Sequence, residues 1–398
     1  MDTILFFQRL NTNPGRQRME GLSAFAREVG WNIQCQSDRL DAEALGRLVD
    51  FWRPVGTILG TCGGMNEYDP GMFSPETTVL QDCFPRSGLE RYAVVTTDSA
   101  VVTELAMKEL VARKCAAYGF VPWPERRLWS ENRRIHFKRV CGALGLDARV
   151  FAPSRPYDSA GDMQKDVAEW LAGLPRPIGL LTANDIVGFN VLNACRAAGL
   201  SVPFDCAVVG IADDETLCNG SNPTLTSVSL NYREAGYRAG ELLYGLVNGK
   251  VAEKPIVAIP PVGLTRRGSS RVFLQTDGLV LKASELIQTK ACGGLRAKDV
   301  LALFPCSRRL AEMRFRKATG HSILEEIRAA RIAKAKQLLA NPQRDLAAVA
   351  SLCGYESDTT FRRVFREETG MTMREWRGKN RMVIQFEGAS TTIRRGRA

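Results

Sequence analysis

The sequence predicts two α/β lobes, each a doubly wound parallel sheet, followed by an all-α domain with two helix-turn-helix units. Three observations predict it. Short β-branched runs alternate with helical runs through the first two thirds of the chain, a unit recurs at a fixed offset in the last hundred or so residues, and the basic charge is confined to the last third.

Seven runs read as buried parallel strands: TILFF, VGTILG, TTVLQD, AVVTTD, AAYGFV, IGLLTAN and AVVGIAD. Between them RQRMEGLSAFAREVG, AVVTELAMKELVARK, IVGFNVLNACRAAGL and YREAGYRAGELLYGLVNG carry helical periodicity. Sheets built this way hold ligands at the carboxyl ends of their strands. No GxGxxG or GxxxxGK[ST] run is present, so a nucleotide or other cofactor is not expected.

The repeat appears when residues 300–320 are laid over 350–370. Ser307 falls on Ser357, Phe315 on Phe365, Arg316 on Arg366, Thr319 on Thr369 and Gly320 on Gly370. In the second copy Leu346, Val349, Ala350 and Leu352 mark a short helix, and Cys353-Gly354-Tyr355 the turn. Ser357 caps a second helix that turns Phe361, Val364 and Phe365 inward. The first copy repeats the plan: Val300 and Leu303 face in, Phe304-Pro305 turns, and Ser307 caps a helix bearing Leu310, Met313 and Phe315. Small residues such as Ala350 and Gly354 let two helices cross closely, as a helix-turn-helix requires. Gly320 and Gly370 suit the ends of the second helices. Between the units, SILEEIRAARIAKAKQLLANP reads as an amphipathic helix with Leu324, Ile327, Ala335, Leu338 and Leu339 on its apolar side, stopped at Asn341-Pro342. Its roughly 18 helical residues span about 27 Å, enough to set two recognition helices near the ~34 Å spacing of successive major-groove faces.

Net charge points the same way. Residues 1–270 hold 29 Lys+Arg against 30 Asp+Glu, whereas residues 271–398 hold 25 against 13, so nearly all of the formal +11 lies where the repeat lies. Such a segment attracts a polyanion and releases counterions on binding it. The division expected is 1–270 for the near-neutral α/β part, 271–380 for binding double-stranded DNA, and 381–398 for a disordered basic tail.

Other classes fit poorly. No run of about 18 apolar residues exists, and no basic segment or small-residue cleavage site flanks the apolar start, so a cytoplasmic chain is expected, with no membrane contact. The eleven cysteines lack any CxxC pair and suggest reduced, mostly buried thiols rather than a metal site. The two histidines, His136 and His321, neighbour no plausible nucleophile, so no enzyme is expected.

From about Val280 to Arg377 the chain resembles the AraC/XylS DNA-binding domain, most specifically in CGYESDTTFRRVFREETGMTMREWR; Met373 stands where that family usually has proline. The resemblance implies that Arg308, Arg309 and Glu312 of the first unit, and Asp358, Thr359, Arg362 and Arg363 of the second, face the major groove. Arginine can bind guanine edges bidentately, and an acidic residue can accept from cytosine. For each arginine a phosphate contact is the equal alternative, and Asp358 also suits a first-turn dipole role.

WSENRRIHFKRV, TANDIVGFNVLNACRAAGLSVPFDCAVVGIADDE and PTLTSVSLNYREAGYRAGELL resemble the LacI/GalR effector domain, whose fold is similar to periplasmic sugar-binding proteins. This implies a small-molecule effector, a sugar with D-xylose foremost, in a cleft lined by Asp82, Arg133 and Asp185, with Asn13 and Trp129 as further candidates. Carboxylates, an arginine and an aromatic face are the types that hydroxyl-rich ligands need. Asp185 alternatively caps the helix starting at Ile186, and Trp129 alternatively belongs to a core. The family strand usually reads VGxD, but here it reads VGIAD, with Ala212 at the carboxylate position and Asp213 one step later. Adjacent strand residues point to opposite sides, so Asp213 does not simply substitute.

The resulting expectation is a homodimeric, effector-controlled regulator with operator DNA as partner and RNA polymerase as a further candidate. Two rivals stay open: a DNA-binding regulator whose α/β part is a ligandless dimerisation module, and a sugar-binding protein without DNA.

Overall fold

A computed structural model describes residues 1–60, 68–82, 90–125, 127–153, 157, 159–251, 255–271, 277–341, 344–379, 382–387 and 390–395. In chain order the elements are β1 (Thr3–Phe7), α1 (Asn13–Val29), β2 (Asn32–Gln36), α2 (Ala42–Trp52), β3 (Gly56–Leu59), β4 (Thr78–Gln81), β5 (Ala93–Thr97), α3 (Ser99–Val111), β6 (Ala117–Val121), α4 (Leu128–Leu144), β7 (Ala148–Val150), α5 (Ala160–Ala172), β8 (Ile178–Thr182), α6 (Asp185–Ala197), β9 (Cys206–Ala212), α7 (Glu215–Gly220), β10 (Thr226–Ser229), α8 (Tyr232–Val247), β11 (Ile256–Ile259) and β12 (Gly263–Thr265). Then come α9 (Gly278–Lys290), α10 (Ala297–Leu301), α11 (Arg308–Thr319), α12 (Ile323–Leu339), α13 (Leu346–Leu352), α14 (Asp358–Thr369), α15 (Met373–Lys379), β13 (Met382–Glu387) and β14 (Ser390–Arg395).

Contacts gather the chain into two units. The first holds Met1–Asp98, Asn231–Pro261 and Lys379–Arg397; the second holds Ser99–Leu230 and Val262–Gly378, the second lobe together with the helical repeat.

In the first unit a parallel sheet runs β11-β5-β4-β3-β1-β2. Its core joins Ile4, Phe6, Ile58, Val79 and Val95 of the strands to Leu22 and Phe25 of α1 and Ala239 and Leu242 of α8. The two helices touch backbone to backbone: a Cβ on Gly21 would lie 1.9 Å from the Arg233 carbonyl oxygen, and one on Gly236 would lie 2.0 Å from that of Arg18. Only glycine permits that approach.

The second unit's sheet runs β12-β10-β9-β8-β6-β7, parallel except for the antiparallel β10–β12 edge. Ala117, Ile178, Leu180, Val208, Val187 and Val191 fill its core. All seven predicted strands form. β2, β7 and β10 carry sequences (NIQCQ, ARV, TSVS) without a continuous apolar run, which is why periodicity passes over them.

The helical repeat builds two cores on one helix. The N-terminal half of α12 packs Ile323 and Ile327 with Val300, Ala311, Phe315 and Ala318, and its C-terminal half packs Ile332, Ala335 and Leu339 with Val349, Phe361, Val364 and Phe365. Several inward assignments need correction. Leu303, Leu310, Met313, Leu324 and Leu352 are 37–58% exposed, and Ala311, Ala318 and Ile323 take the inward positions instead. Crossing helices leave room for alanine where the sequence offers a larger apolar residue one step away. The expected disordered tail is also corrected, since Met382–Glu387 pairs antiparallel with Ser390–Arg395.

Cys62 and Cys83 lie outside the described residues. Each of the nine other cysteines is free and buried or half-buried. Among the described residues no helix is long and apolar enough to cross a membrane.

Candidate functional site

α11 and α14 are the second helices of the two units. Ser307 Oγ accepts from the Leu310 amide and Ser357 Oγ from the Thr360 amide, at 3.4 and 3.3 Å, and Gly320 and Gly370 end the helices at φ 81° and 71°. The repeat continues past them. Ser322 with Glu325 and Thr372 with Glu375 form reciprocal capping boxes at the same 50-residue offset, the carboxylates accepting from the cap amides at 2.6 and 2.7 Å. These backbone bonds hold both carboxyls below their ordinary range.

The predicted DNA-facing residues lie on the sides of α11 and α14 away from their cores. Arg308, Arg309, Thr359, Arg362 and Arg363 are exposed, and Glu312 and Asp358 are half-buried. In α14 the arginines are engaged within the helix, Arg362 with Asp358 and Arg363 with Glu367, each at 2.6 Å. In α11 neither Arg308 nor Arg309 has a carboxylate partner among the described residues. Asp358 thus occupies the first turn of α14 and also pairs with Arg362, combining the dipole role with a side-chain one.

Beside α14 a groove of about 820 Å³ is lined by Arg362, Arg363, Arg366 and Arg374 with Glu367 and Thr372. Sequence reasoning missed Arg366 and Arg374. Spacing carried the signal, because Arg366 follows Arg362 and Arg363 at i+4 and i+3 on one helical face.

The effector candidates fall in both units. In the first, Asp82 follows β4 in the left-handed region at φ 51°, pairs with buried Arg18 and accepts from the Thr97 amide at 3.3 Å. Arg18, which sequence reasoning did not single out, lies 4.9 Å over the Tyr232 ring. Asn13, the first residue of α1, accepts from Gln17 at 3.0 Å.

In the second unit Arg133 and Trp129 come together on α4, the guanidinium 5.0 Å over the indole. Arg133 is 3% exposed and donates to the Ala183 carbonyl just past β8. Trp129 is half-buried and packs beside Trp123 at 6.1 Å, so it is not a core residue. Asp185 does not cap α6. That role belongs to Asn184, which accepts from the Val187 amide at 3.0 Å. Asp185 is instead fully buried, accepting from Ser227 Oγ at 2.5 Å and the Asp214 amide at 2.7 Å. Burial pushes its carboxyl up to about 6.

At the end of β9, Ala212 and Asp213 have φ of 127° and 55°, both in a region that favours glycine. The Asp213 carboxylate turns into the protein. It pairs with Arg267 at 2.8 Å and accepts from Ser229, from Thr265 at 2.6 Å and from Gln337 of α12. Arg267 and Gln337 lie 54 and 124 residues away in sequence, where no local pattern could reveal them.

Two families match the chain: a periplasmic binding protein-like domain over residues 107–270 and a helix-turn-helix domain over residues 301–379. The xylose operon regulatory protein of Haemophilus influenzae is 29% identical over 290 residues, 72% of this chain and 75% of that protein. Its counterpart in Escherichia coli K12 is 28% identical over 294 residues, 73% and 75% of the two chains. The solved xylose-binding transcription activator xylR shares the fold, with a TM-score of 0.55 and 23% identity over 94% of this chain and 97% of that one. This chain, with its binding-protein-like α/β lobes and AraC-type helix-turn-helix domain, is a DNA-binding transcription regulator homologous to the xylose operon regulatory proteins.

Proposed function

We propose that the protein is a cytoplasmic, homodimeric regulator of carbohydrate-use genes whose affinity for operator DNA is set by a sugar. The names of its relatives make D-xylose the first candidate. The observation that carries the reading is the joining, on one chain, of a helix-turn-helix pair to a parallel sheet past whose strand ends lie the Arg133–Trp129 pair of α4 and the buried Asp185. Sugar recognition is assigned to these three, with Asp82 and Asn13 as the first unit's candidates. Polar side chains fix the hydroxyls and the indole takes the C–H face.

Arg308, Arg309, Glu312, Asp358, Thr359, Arg362 and Arg363 contact DNA. A dimer brings four helix-turn-helix units to a repeated operator, with RNA polymerase as a further partner, and the chemistry is binding rather than turnover. The sugar acts by binding one conformation better than another.

A second reading, a ligandless dimerisation module, draws support from β9. The carboxylate next to Ala212 is consumed by Arg267, Thr265, Ser229 and Gln337, so that strand offers none to a ligand. A thermal-shift screen with pentoses and hexoses decides between them. A shift with D-xylose supports the sensor, whereas no shift with any sugar at millimolar concentration, alongside intact operator binding, supports the module.

A further inference from the structure

α12 is shared by both helix-turn-helix cores, so whatever holds α12 places both recognition helices. Two of its side chains, Gln337 and Lys334 at i and i−3, reach one short segment of the second lobe. The Gln337 amide donates to Asp213 and lies 3.0 Å from Thr265 Oγ1, while Lys334 pairs with Glu215, two residues past Asp213. Val262, just before β12, packs against the C-terminal core of α12.

The same turn is tied to Asp185. The Asp214 amide donates to the Asp185 carboxylate, and the Asp213 amide donates at 3.0 Å to Ser227 Oγ, whose hydroxyl donates to Asp185 in turn. Two hydrogen-bonded steps therefore connect Asp185, a candidate effector residue at the start of α6, with the backbone of the residue whose carboxylate grips α12.

We propose that the turn Ala212–Glu215 is a coupling latch, in which Asp213 and Glu215 hold α12 against the second lobe through Gln337 and Lys334 and pass movement at Asp185 to both recognition helices. Two features suit it to switching. Non-glycine residues at positive φ persist only where their surroundings hold them, and here two in succession sit at the grip. The Asp213 side chain, 2% exposed and paired with Arg267, is a buried acceptor that loses one of its donors when Gln337 leaves, so the contact favours made or broken over half-made. Signal transfer from Asp185 rests on the sensor reading; the grip on α12 does not.

The test uses the full-length chain, wild type against Gln337→Leu, which removes the donor and keeps bulk, and against Lys334→Ala, a half-exposed position that leaves both cores intact. Hydrogen exchange without ligand is read first. The latch predicts exchange about tenfold or more faster in Gln337→Leu, both in the Ala212–Glu215 turn and in the C-terminal half of α12, with a smaller change of the same kind in Lys334→Ala. Acceleration in α12 alone, or none in either variant, overturns it. Operator affinity is then measured with and without D-xylose. The latch predicts that the ratio of the two affinities falls toward one in Gln337→Leu while D-xylose still binds; an unchanged ratio overturns the coupling. A wild type without any D-xylose response removes the sensor reading and leaves exchange to decide the grip.

Discussion

The same chemistry, carboxylate against guanidinium, is used in two ways within the second unit. At the end of β9, Asp213 and Arg267 are 2% and 4% exposed at their side chains, and Arg267 is fixed further by donating to Asn219 and the Leu225 carbonyl. On α14, Asp358–Arg362 and Arg363–Glu367 each join residues one helical turn apart, with side chains 37–62% exposed. A buried pair tolerates no change of partner, because removing either member strands a charge away from water. An exposed pair costs almost nothing to open. Under the proposed function, the first suits an element that transmits a position, and the second suits arginines that exchange a carboxylate for a base edge or a phosphate.

The largest effect that sharpens this contrast is Asp213→Ala, which strands Arg267 and is expected to cost about 3–5 kcal/mol in denaturant unfolding. A loss no greater than that of an exposed pair would erase the distinction. Next comes Asp185, raised to about 6 in the fold against roughly 3.9 in an unfolded chain. The native state then binds the proton more tightly, so this stabilisation is complete below about pH 4 and is lost as pH rises through about 6, by up to roughly 3 kcal/mol. Asp185→Asn removes the titration. Unfolding from pH 4 to 7 is expected to show wild type losing ground to the variant as pH rises, and a constant gap would contradict the burial argument.

On the exposed side, Arg363→Ala is expected to cost about 1–3 kcal/mol of operator affinity with relaxed base preference. Equal loss on random DNA would make it a phosphate contact. The smallest effect is Asp358→Ala. Stability should stay within about 0.5 kcal/mol, while the freed Arg362 steepens the salt dependence of DNA binding by about one in the log–log slope. An unchanged slope would mean that Arg362 already reaches the phosphates.

The contrast also marks how far the sequence could be read. Helix caps, the turn at Gly354 and the inward Phe361, Val364 and Phe365 were legible because each is set by residues within one helical turn. Leu310 and Met313 stay exposed because the close helix crossing buries the small Ala311 and Ala318 instead, a choice that apolar size alone does not reveal. β10 was passed over because its buried hydroxyls, Thr226, Ser227 and Ser229, look like a polar loop until their partners Arg267, Asp185 and Asp213 are in place. Of the DNA-facing residues that the family resemblance implies, Arg308, Arg309, Thr359, Arg362 and Arg363 are exposed, and Glu312 and Asp358 are half-buried. The partners of Asp82 and Asp185, by contrast, arrive from distant segments, and only folding brings them together.

The central claim, a sugar signal carried to a DNA-binding end, is tested most directly by titrating the full chain with D-xylose in the presence and absence of operator DNA. Coupling between binding sites is reciprocal. D-xylose should therefore change operator affinity by about fivefold or more, and operator should change D-xylose affinity by the same factor. Identical D-xylose affinities with and without operator would contradict the account.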